Sequence, residues 1–299
     1  MGSTVGAIAL ARTYRHSVGP AGPSFGEPRR LMPRLWLTVG GHDPQGSHPR
    51  WPVAPLDEAP LTLRTQPRSR FLLHLSLAFL AIALAGFSTT LFIPLARGSF
   101  TAPFPVQIHG VLMFCWLVLL ISQAALVSSG KTAMHRRLGW LGAALAAAIV
   151  PSGVASGVYA TRRDLAATEA TWPYGGFVNI VIEMAVFGIL VAAAIAQRRQ
   201  PERHKRLLVL ATISALGPAW FRFRHFMPFV PNPIVTFSLV ADSVLLVLIA
   251  REWLKERRVH PVVAWAGGAM VAVHLVELAA AESPLWTGIG RWLLQGMPA

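Results

Sequence analysis

From residue 71 onward, long apolar stretches alternate with short polar ones. Seven apolar stretches can be distinguished: about 71–93, 106–128, 138–160, 174–197, 207–222, 234–251 and 261–281. Most of them reach the roughly 20 residues that an α-helix needs to cross the hydrocarbon core of a bilayer. Because every backbone N–H and C=O group must be satisfied inside lipid, these stretches are predicted to be helices. The pattern predicts an all-α integral membrane protein, a bundle of seven transmembrane helices.

The fifth stretch is the shortest of the seven. Arg206 and Arg222 leave only fifteen residues between them, and Gly217-Pro218 interrupts the far end of the stretch. Proline removes a backbone donor and clashes with the preceding turn of a helix. We therefore expect a short or kinked span here, with a re-entrant segment as the alternative.

Residues 1–68 follow a different pattern. They are rich in Pro, Gly, Ser and Arg and have no sustained periodicity, so they are predicted to be a disordered tail or an over-extended gene start. The early stretch VGAIALA lacks the preceding positive charge of a signal peptide. The predicted organisation is a tail at 1–68, a transmembrane bundle at 69–284 and a short interfacial segment at 285–299.

Composition agrees with a membrane protein. The chain is 54% hydrophobic and only 13% charged, whereas soluble proteins are about 25% charged. Its net charge of +14 comes from short clusters between apolar stretches rather than from one basic face. This distribution argues against nucleic acid as a partner and for the lipid bilayer, with anionic headgroups at the cytoplasmic face.

The distribution of Lys and Arg predicts the orientation. The segment before the first stretch and the loops after the second, fourth and sixth carry fifteen of these cations, and the opposite loops with the C-terminus carry six. Cytoplasmic loops of membrane proteins are enriched in Lys and Arg. We therefore expect the N-terminus inside and the C-terminus outside, in the cell's inner (plasma) membrane.

A histidine with neighbouring cations precedes three of the stretches. The sequences are HRRLG at His135, HKRL at His204 and RRVHP at His260. One interpretation is that these clusters only set orientation at the cytoplasmic surface. The other is that the three histidines converge on a metal, a haem or a phosphate headgroup; the neighbouring cations argue against a bare metal ion, and no metal site is predicted with confidence.

Six ionisable residues are expected inside the bilayer, where a charge is costly and therefore marks a functional site. Five of them form the predicted intramembrane polar cluster: His109, Glu183, Arg222, Asp242 and His274. The sixth is Glu277. The two carboxylates are the expected partners of Arg222 or His109. A packing ion pair, a proton-linked cavity and haem ligation by His109 with His274 all remain open.

Several of these stretches resemble a widespread family of bacterial multi-pass membrane proteins. The similarity rests on GFSTTLF, VQIHGVLMFCWLVLLISQAALVSSG, HRRLGWLGAALA, PERHKRLLVLATISAL and RRVHP, over residues 71–295. The resemblance implies about seven helices and no established activity. It matches the family motifs at His109, His135, His204 and His260, and less closely at Arg222 and Asp242. Where this chain has Glu183 the family pattern has Asp, a departure that keeps a carboxylate.

The sequence leaves several functions open. A transporter-like or ligand-binding bundle, using the polar cluster, is favoured. The alternatives are a haem-binding electron carrier resembling cytochrome b561 and a structural or assembly partner of another membrane protein. A membrane enzyme acting on a lipid-linked or quinone-like substrate is the least favoured, because the chain has no HExxH, GxSxG or Walker signature.

Overall fold

The computed structural model describes residues 70–297, and this part of the chain is built from helices without strands. The predicted tail at 1–68 lies outside the described residues. In chain order the helices are α1 (Phe71–Ala96), α2 (Phe104–Ser128), α3 (Thr132–Ala167), α4 (Trp172–Ala196), α5 (Pro201–Ala215), α6 (Gly217–Phe221), α7 (Pro233–Glu256), α8 (Val263–Ala280) and α9 (Pro284–Gln295).

Six of these helices, α1 to α4, α7 and α8, are long and apolar enough to cross a membrane. Their mean hydropathy lies between 1.6 and 2.4, yet at most 33% of each span is buried by the rest of the protein. Apolar side chains such as Val111 and Leu246 therefore cover the outside of the bundle. An apolar exterior of this extent is the character of a multi-pass membrane protein.

The fifth apolar stretch is divided, as its glycine and proline predicted. Helix α5 ends at Ala215, and a five-residue helix, α6, begins at Gly217. A short 3₁₀ segment, Arg222–His225, follows directly. Neither α5 nor α6 is long enough to span a membrane alone, so the described residues contain six helices of spanning length rather than seven.

Helix α5 is nevertheless the most enclosed helix of the described chain. Val209, Leu210, Ala211, Thr212 and Ile213 are consecutive and buried, so the helix is covered on all sides. It packs against α4, α7 and the first turns of α8. A helix that is buried all round belongs to the core of a bundle. Helices α4, α7 and α8 therefore determine which side chains face α5.

The motif GFSTTLF joins α1 to α6. It runs through a π-helical segment of α1, Ser88–Phe92. A Cβ at Gly86 would lie 2.3 Å from the carbonyl oxygen of Ala219, so only glycine permits this backbone contact. The Arg222 guanidinium lies 4.1 Å from the centre of the Phe87 ring and donates to Thr90 Oγ1 at 3.1 Å.

Three loops lie at one end of the bundle, which we call the basic end: residues 129–131, 197–200 and 257–262. At the opposite end, α9 packs on the start of α4. A Cβ at Gly290 would lie 2.1 Å from the carbonyl oxygen of Tyr174, so the two helices touch through their backbones. Most of the segment predicted to be interfacial, 285–299, is this helix.

Candidate functional site

A histidine and two carboxylates from three helices meet in the bundle. His274 lies on α8, Asp242 on α7 and Glu183 on α4. His274 Nδ1 is 2.7 Å from Asp242 Oδ1 and forms a hydrogen bond with it. His274 Nε2 is 3.0 Å from Glu183 Oε1, an ion-pair distance without the alignment of a hydrogen bond. Asp242 is 8% exposed, so its contact with the ring is shielded from the surface.

The fourth helix of this site is α5. The hydroxyl of Ser214 donates to Glu183 Oε2 at 2.7 Å. Ser214 is buried in the enclosed part of α5, so this bond fixes Glu183 against the centre of the bundle. Both oxygens of Glu183 therefore face polar groups, one from α5 and one from α8.

A third carboxyl group belongs to the same site. Glu277 lies three residues after His274 on α8 and therefore on the same face of that helix. It is 6% exposed, and among the described residues its Oε1 has no hydrogen-bond partner. The sequence predicts it as the sixth ionisable residue inside the bilayer, although it is not among the five residues of the predicted cluster.

A small cavity of about 110 Å³ adjoins these side chains. Its polar lining consists of Asn179, Glu183, Ser214, Ser238, His274 and Glu277. A single water needs a cavity of about 15 Å³, so this space admits several waters or a small solute. We call these six residues together with Asp242 the His274 site.

Asn179 links the His274 site to the helix that packs at the opposite end. Trp286 Nε1 on α9 donates to Asn179 Oδ1 at 2.7 Å. Asn179 precedes Glu183 by one helical turn on α4, so the two side chains share a face of that helix. The contact places α9 directly beside the cavity lining.

Two residues of the predicted cluster lie elsewhere. His109 Nδ1 is 3.2 Å from the hydroxyl oxygen of Ser152 on α3, beside Gly153. Arg222 donates to Thr90 Oγ1 and, at 2.7 Å, to the carbonyl oxygen of Pro218. Within residues 70–297 neither forms an ion pair with Glu183 or Asp242, whose common partner is His274. The structure thus brings together three of the five predicted residues.

At the basic end, His135 on α3 and His204 on α5 do converge. Their ring centres are 6.4 Å apart and the ring planes are inclined by 85°. His204 Nδ1 donates to the carbonyl oxygen of Ala194 at 2.8 Å, and the side-chain amide of Gln123 lies 2.5 Å from Nδ1 of His135. Both histidines line a cavity of about 540 Å³.

The third basic-end histidine does not line that cavity. The backbone N–H of His260 donates to Glu252 Oε2 at 2.8 Å, and its ring Nδ1 accepts from the backbone N–H of Val262 at 3.1 Å. Burial, followed by the nearby charge of Arg206, lowers the pKa of His260. His260 therefore helps to shape the loop between α7 and α8, apart from the other two histidines.

A buried ion pair next to His260 has no obvious sequence signal. Arg206 on α5 donates through Nε to Glu252 Oε1 on α7 at 2.5 Å, and both residues are at most 5% exposed. Glu202, one turn earlier on α5, also accepts from Arg206. From the sequence, Arg206 is indistinguishable from a surface cation, because its partner lies 46 residues away.

Comparison with known proteins gives no family: no family model, no curated protein and no solved structure matches this chain. Among the described residues, no group of three or more His, Cys, Asp or Glu side chains is arranged to hold a metal ion.

Proposed function

We propose that this protein is a proton-coupled transporter of the inner membrane, with the His274 site as its proton-binding site. The observation that carries the proposal is the position of the His274 ring between two carboxylates on two other helices, Asp242 Oδ1 at 2.7 Å and Glu183 Oε1 at 3.0 Å.

The number of N–H donors on the His274 ring supports a proton-binding role. A neutral imidazole has one N–H, and the hydrogen bond to Asp242 uses it at Nδ1. The lone pair of Nε2 then faces a Glu183 oxygen, which is also an acceptor. A proton between these two atoms replaces their repulsion with attraction, so the site gains from binding one.

Because the site is shared by three helices, proton binding can change how these helices pack against one another. His274, Asp242 and Glu183 belong to α8, α7 and α4, so adding or removing one proton changes the attraction between three helices. A ligand can shift a conformational equilibrium only through such differences in interaction. In this proposal the bound proton shifts the equilibrium between two arrangements of the helices that pack on α5.

The break between α5 and α6 also favours transport. Gly217, the first residue of α6, lines the same cavity as Glu183 and Glu277. Discontinuous helices at the site are a recurring feature of transporters, because the interrupted backbone offers polar groups to the substrate. In this proposal α5 and α6 together form the seventh span, the basic end faces the cytoplasm and the cavity opens from the other side.

A pH-jump experiment tests the proposal without a known substrate. Purified protein is reconstituted in liposomes on a solid-supported membrane, and the charge displaced by an acidic jump is recorded. We expect a transient current from the native protein and at least a tenfold smaller one from His274→Gln and Asp242→Asn. Glu282→Gln, which changes an exposed carboxylate, is the control and should keep the full signal. Equal currents from all four proteins would contradict the proposal.

A further inference from the structure

We propose that the cavity at the basic end is a haem b site in which His135 and His204 are the two axial ligands. The proposal goes beyond the transport function and uses none of the residues of the His274 site. It concerns the space between α2, α3, α4 and α5, where both histidines line the 540 Å³ cavity.

The distance between the two rings fits a single metal ion between them. A bond from a first-row metal to an imidazole nitrogen is about 2.0–2.1 Å long, which places two opposed ring centres about 6 Å apart. The centres of His135 and His204 are 6.4 Å apart. The distance between the ring centres therefore matches that of two axial ligands of one iron.

The outer nitrogen of each ring is engaged. His204 Nδ1 donates its proton to Ala194 O, which leaves Nε2 as a free lone pair. At His135 the amide nitrogen of Gln123 donates to Nδ1 at 2.5 Å, while its oxygen accepts from the backbone N–H of Gly139. Ligation through Nε2 of this ring requires the amide to turn over, so that its oxygen accepts the ring proton at Nδ1. Metal-ligating histidines characteristically have their second nitrogen bound to a carbonyl or similar acceptor, which orients the ring.

The lining of the cavity matches an amphipathic, planar ligand. Trp116, Leu119 and Leu120 of α2 form an apolar wall, and Gly139 and Gly142 leave the adjoining surface of α3 without side chains. A volume of 540 Å³ falls in the usual range of about 300–1,000 Å³ for cofactor sites.

Three arginines line the same cavity: Arg136, Arg198 and Arg199. Guanidinium groups bind carboxylates through paired hydrogen bonds, so they suit the two propionates of a haem. Since these residues lie where α3 begins and α4 ends, the propionates would point to the basic end and the porphyrin ring toward the interior.

The donor set selects haem over other metal centres. Two histidines alone cannot complete the coordination of zinc, which takes four ligands. A porphyrin supplies four nitrogens, and two imidazoles complete six-coordinate iron. Covalent attachment of a c-type haem through a CxxCH motif is excluded, because Cys115 is the only cysteine of the chain.

An anionic phospholipid is the competing occupant, because its phosphate would also meet the arginines. Phosphate binding, however, needs cations and gives no reason for two imidazoles with engaged Nδ1 atoms at a metal-bridging distance. The haem proposal accounts for the arginines and the histidines together.

The test is the haem content of the purified protein. The full chain is produced with added 5-aminolaevulinate, purified in detergent and examined by reduced-minus-oxidised absorption spectroscopy and by bound-phosphate analysis. We expect about one haem b per chain and a spectrum of six-coordinate low-spin iron. His135→Ala and His204→Ala should each lower haem content at least tenfold, whereas the matched basic-end variant His260→Ala should keep it.

Two further measurements separate ligation from a loss of folding. Haemin added to purified native protein should bind with one-to-one stoichiometry, and the perpendicular rings predict a strongly anisotropic low-spin electron paramagnetic resonance signal. His204→Met should retain haem at a raised reduction potential, since a Met/His pair raises it. Native protein without haem but with bound phosphate, or full haem content in the His135→Ala/His204→Ala double variant, would overturn the proposal. None of these readouts depends on transport, so the two proposals can fail separately.

Discussion

Glu252 on α7 accepts from Arg206 on α5 at 2.5 Å, and its second oxygen accepts from the backbone N–H of His260. One buried carboxylate thereby joins the central helix, α7 and the loop that leads into α8. Removing one partner of a buried ion pair leaves the other charge without compensation, which costs about 3–5 kcal/mol. This carboxylate is therefore expected to contribute more to stability than any exposed ion pair of the bundle.

Glu252→Ala should lower the free energy of unfolding by about 3–5 kcal/mol. Glu256→Ala is the matched control, because Glu256 is 3.9 Å from Arg206 with a side chain that is 43% exposed. An exposed pair of this kind contributes about 0–1 kcal/mol. Thermal unfolding in detergent, followed by tryptophan fluorescence, measures both; equal shifts of the two variants would argue against the role given to Glu252.

The contact between Gly86 and Ala219 predicts a second stability difference. In Gly86→Ala the new methyl group would meet the Ala219 carbonyl oxygen at 2.3 Å, so α1 has to move away from α6. Such overpacking costs about 1–3 kcal/mol. In Gly110→Ala on α2 the methyl group meets nothing within 4 Å, and replacing a helical glycine there should raise stability by up to about 1 kcal/mol. The same unfolding assay distinguishes them, and a destabilised Gly110→Ala with an unaffected Gly86→Ala would be the contrary result.

Cysteine labelling decides whether α5 and α6 together cross the membrane. In a Cys115→Ser background, Ser99→Cys, Ser129→Cys and Phe229→Cys place single thiols in exposed loop positions. With seven spans, a membrane-impermeant maleimide added to intact cells labels Ser99→Cys and Phe229→Cys but not Ser129→Cys. If the fifth stretch is re-entrant, Phe229→Cys is protected together with Ser129→Cys.

Because Glu277 Oε1 has no hydrogen-bond partner among the described residues, replacing the carboxyl group of Glu277 with an amide should change stability little. Glu277→Gln keeps the shape of the side chain and should change the unfolding free energy by less than about 1 kcal/mol, since no ion pair is lost. Asp242→Ala removes the hydrogen-bonded partner of His274 and should cost about 3 kcal/mol or more. Unfolding of both variants at one pH gives the comparison, and a larger loss from Glu277→Gln than from Asp242→Ala would be unexpected.

Much of the helix layout follows from the sequence, because a bilayer-spanning helix is marked by a long apolar stretch on its own. The break at Gly217-Pro218 is equally local and is where the sequence places it. The enclosed position of α5 is not local: its apolar residues do not differ from those of a lipid-facing helix. Only the surrounding helices distinguish the two environments.

In the candidate site, too, the local sequence predicts some features, whereas others depend on which helices are neighbours. Intramembrane charge identifies Glu183, Asp242 and His274, because desolvation makes any such group exceptional. The choice of partners depends on helix rotation and on which helices are neighbours, so the expected pairing of the carboxylates with Arg222 or His109 is replaced by pairing with His274. The sequence does not distinguish Ser214 and Asn179 as site residues, because hydroxyl and amide groups are common in apolar helices.

Infrared difference spectroscopy of the reconstituted protein tests the central claim most directly, namely that the His274 ring takes up a proton between its two carboxylates. Acidification should produce the ring-stretching band of a newly formed imidazolium. We predict that this band is lost in the Glu183→Gln/Asp242→Asn double variant and retained in Glu282→Gln. A difference spectrum in which the double variant keeps the native band would contradict the account.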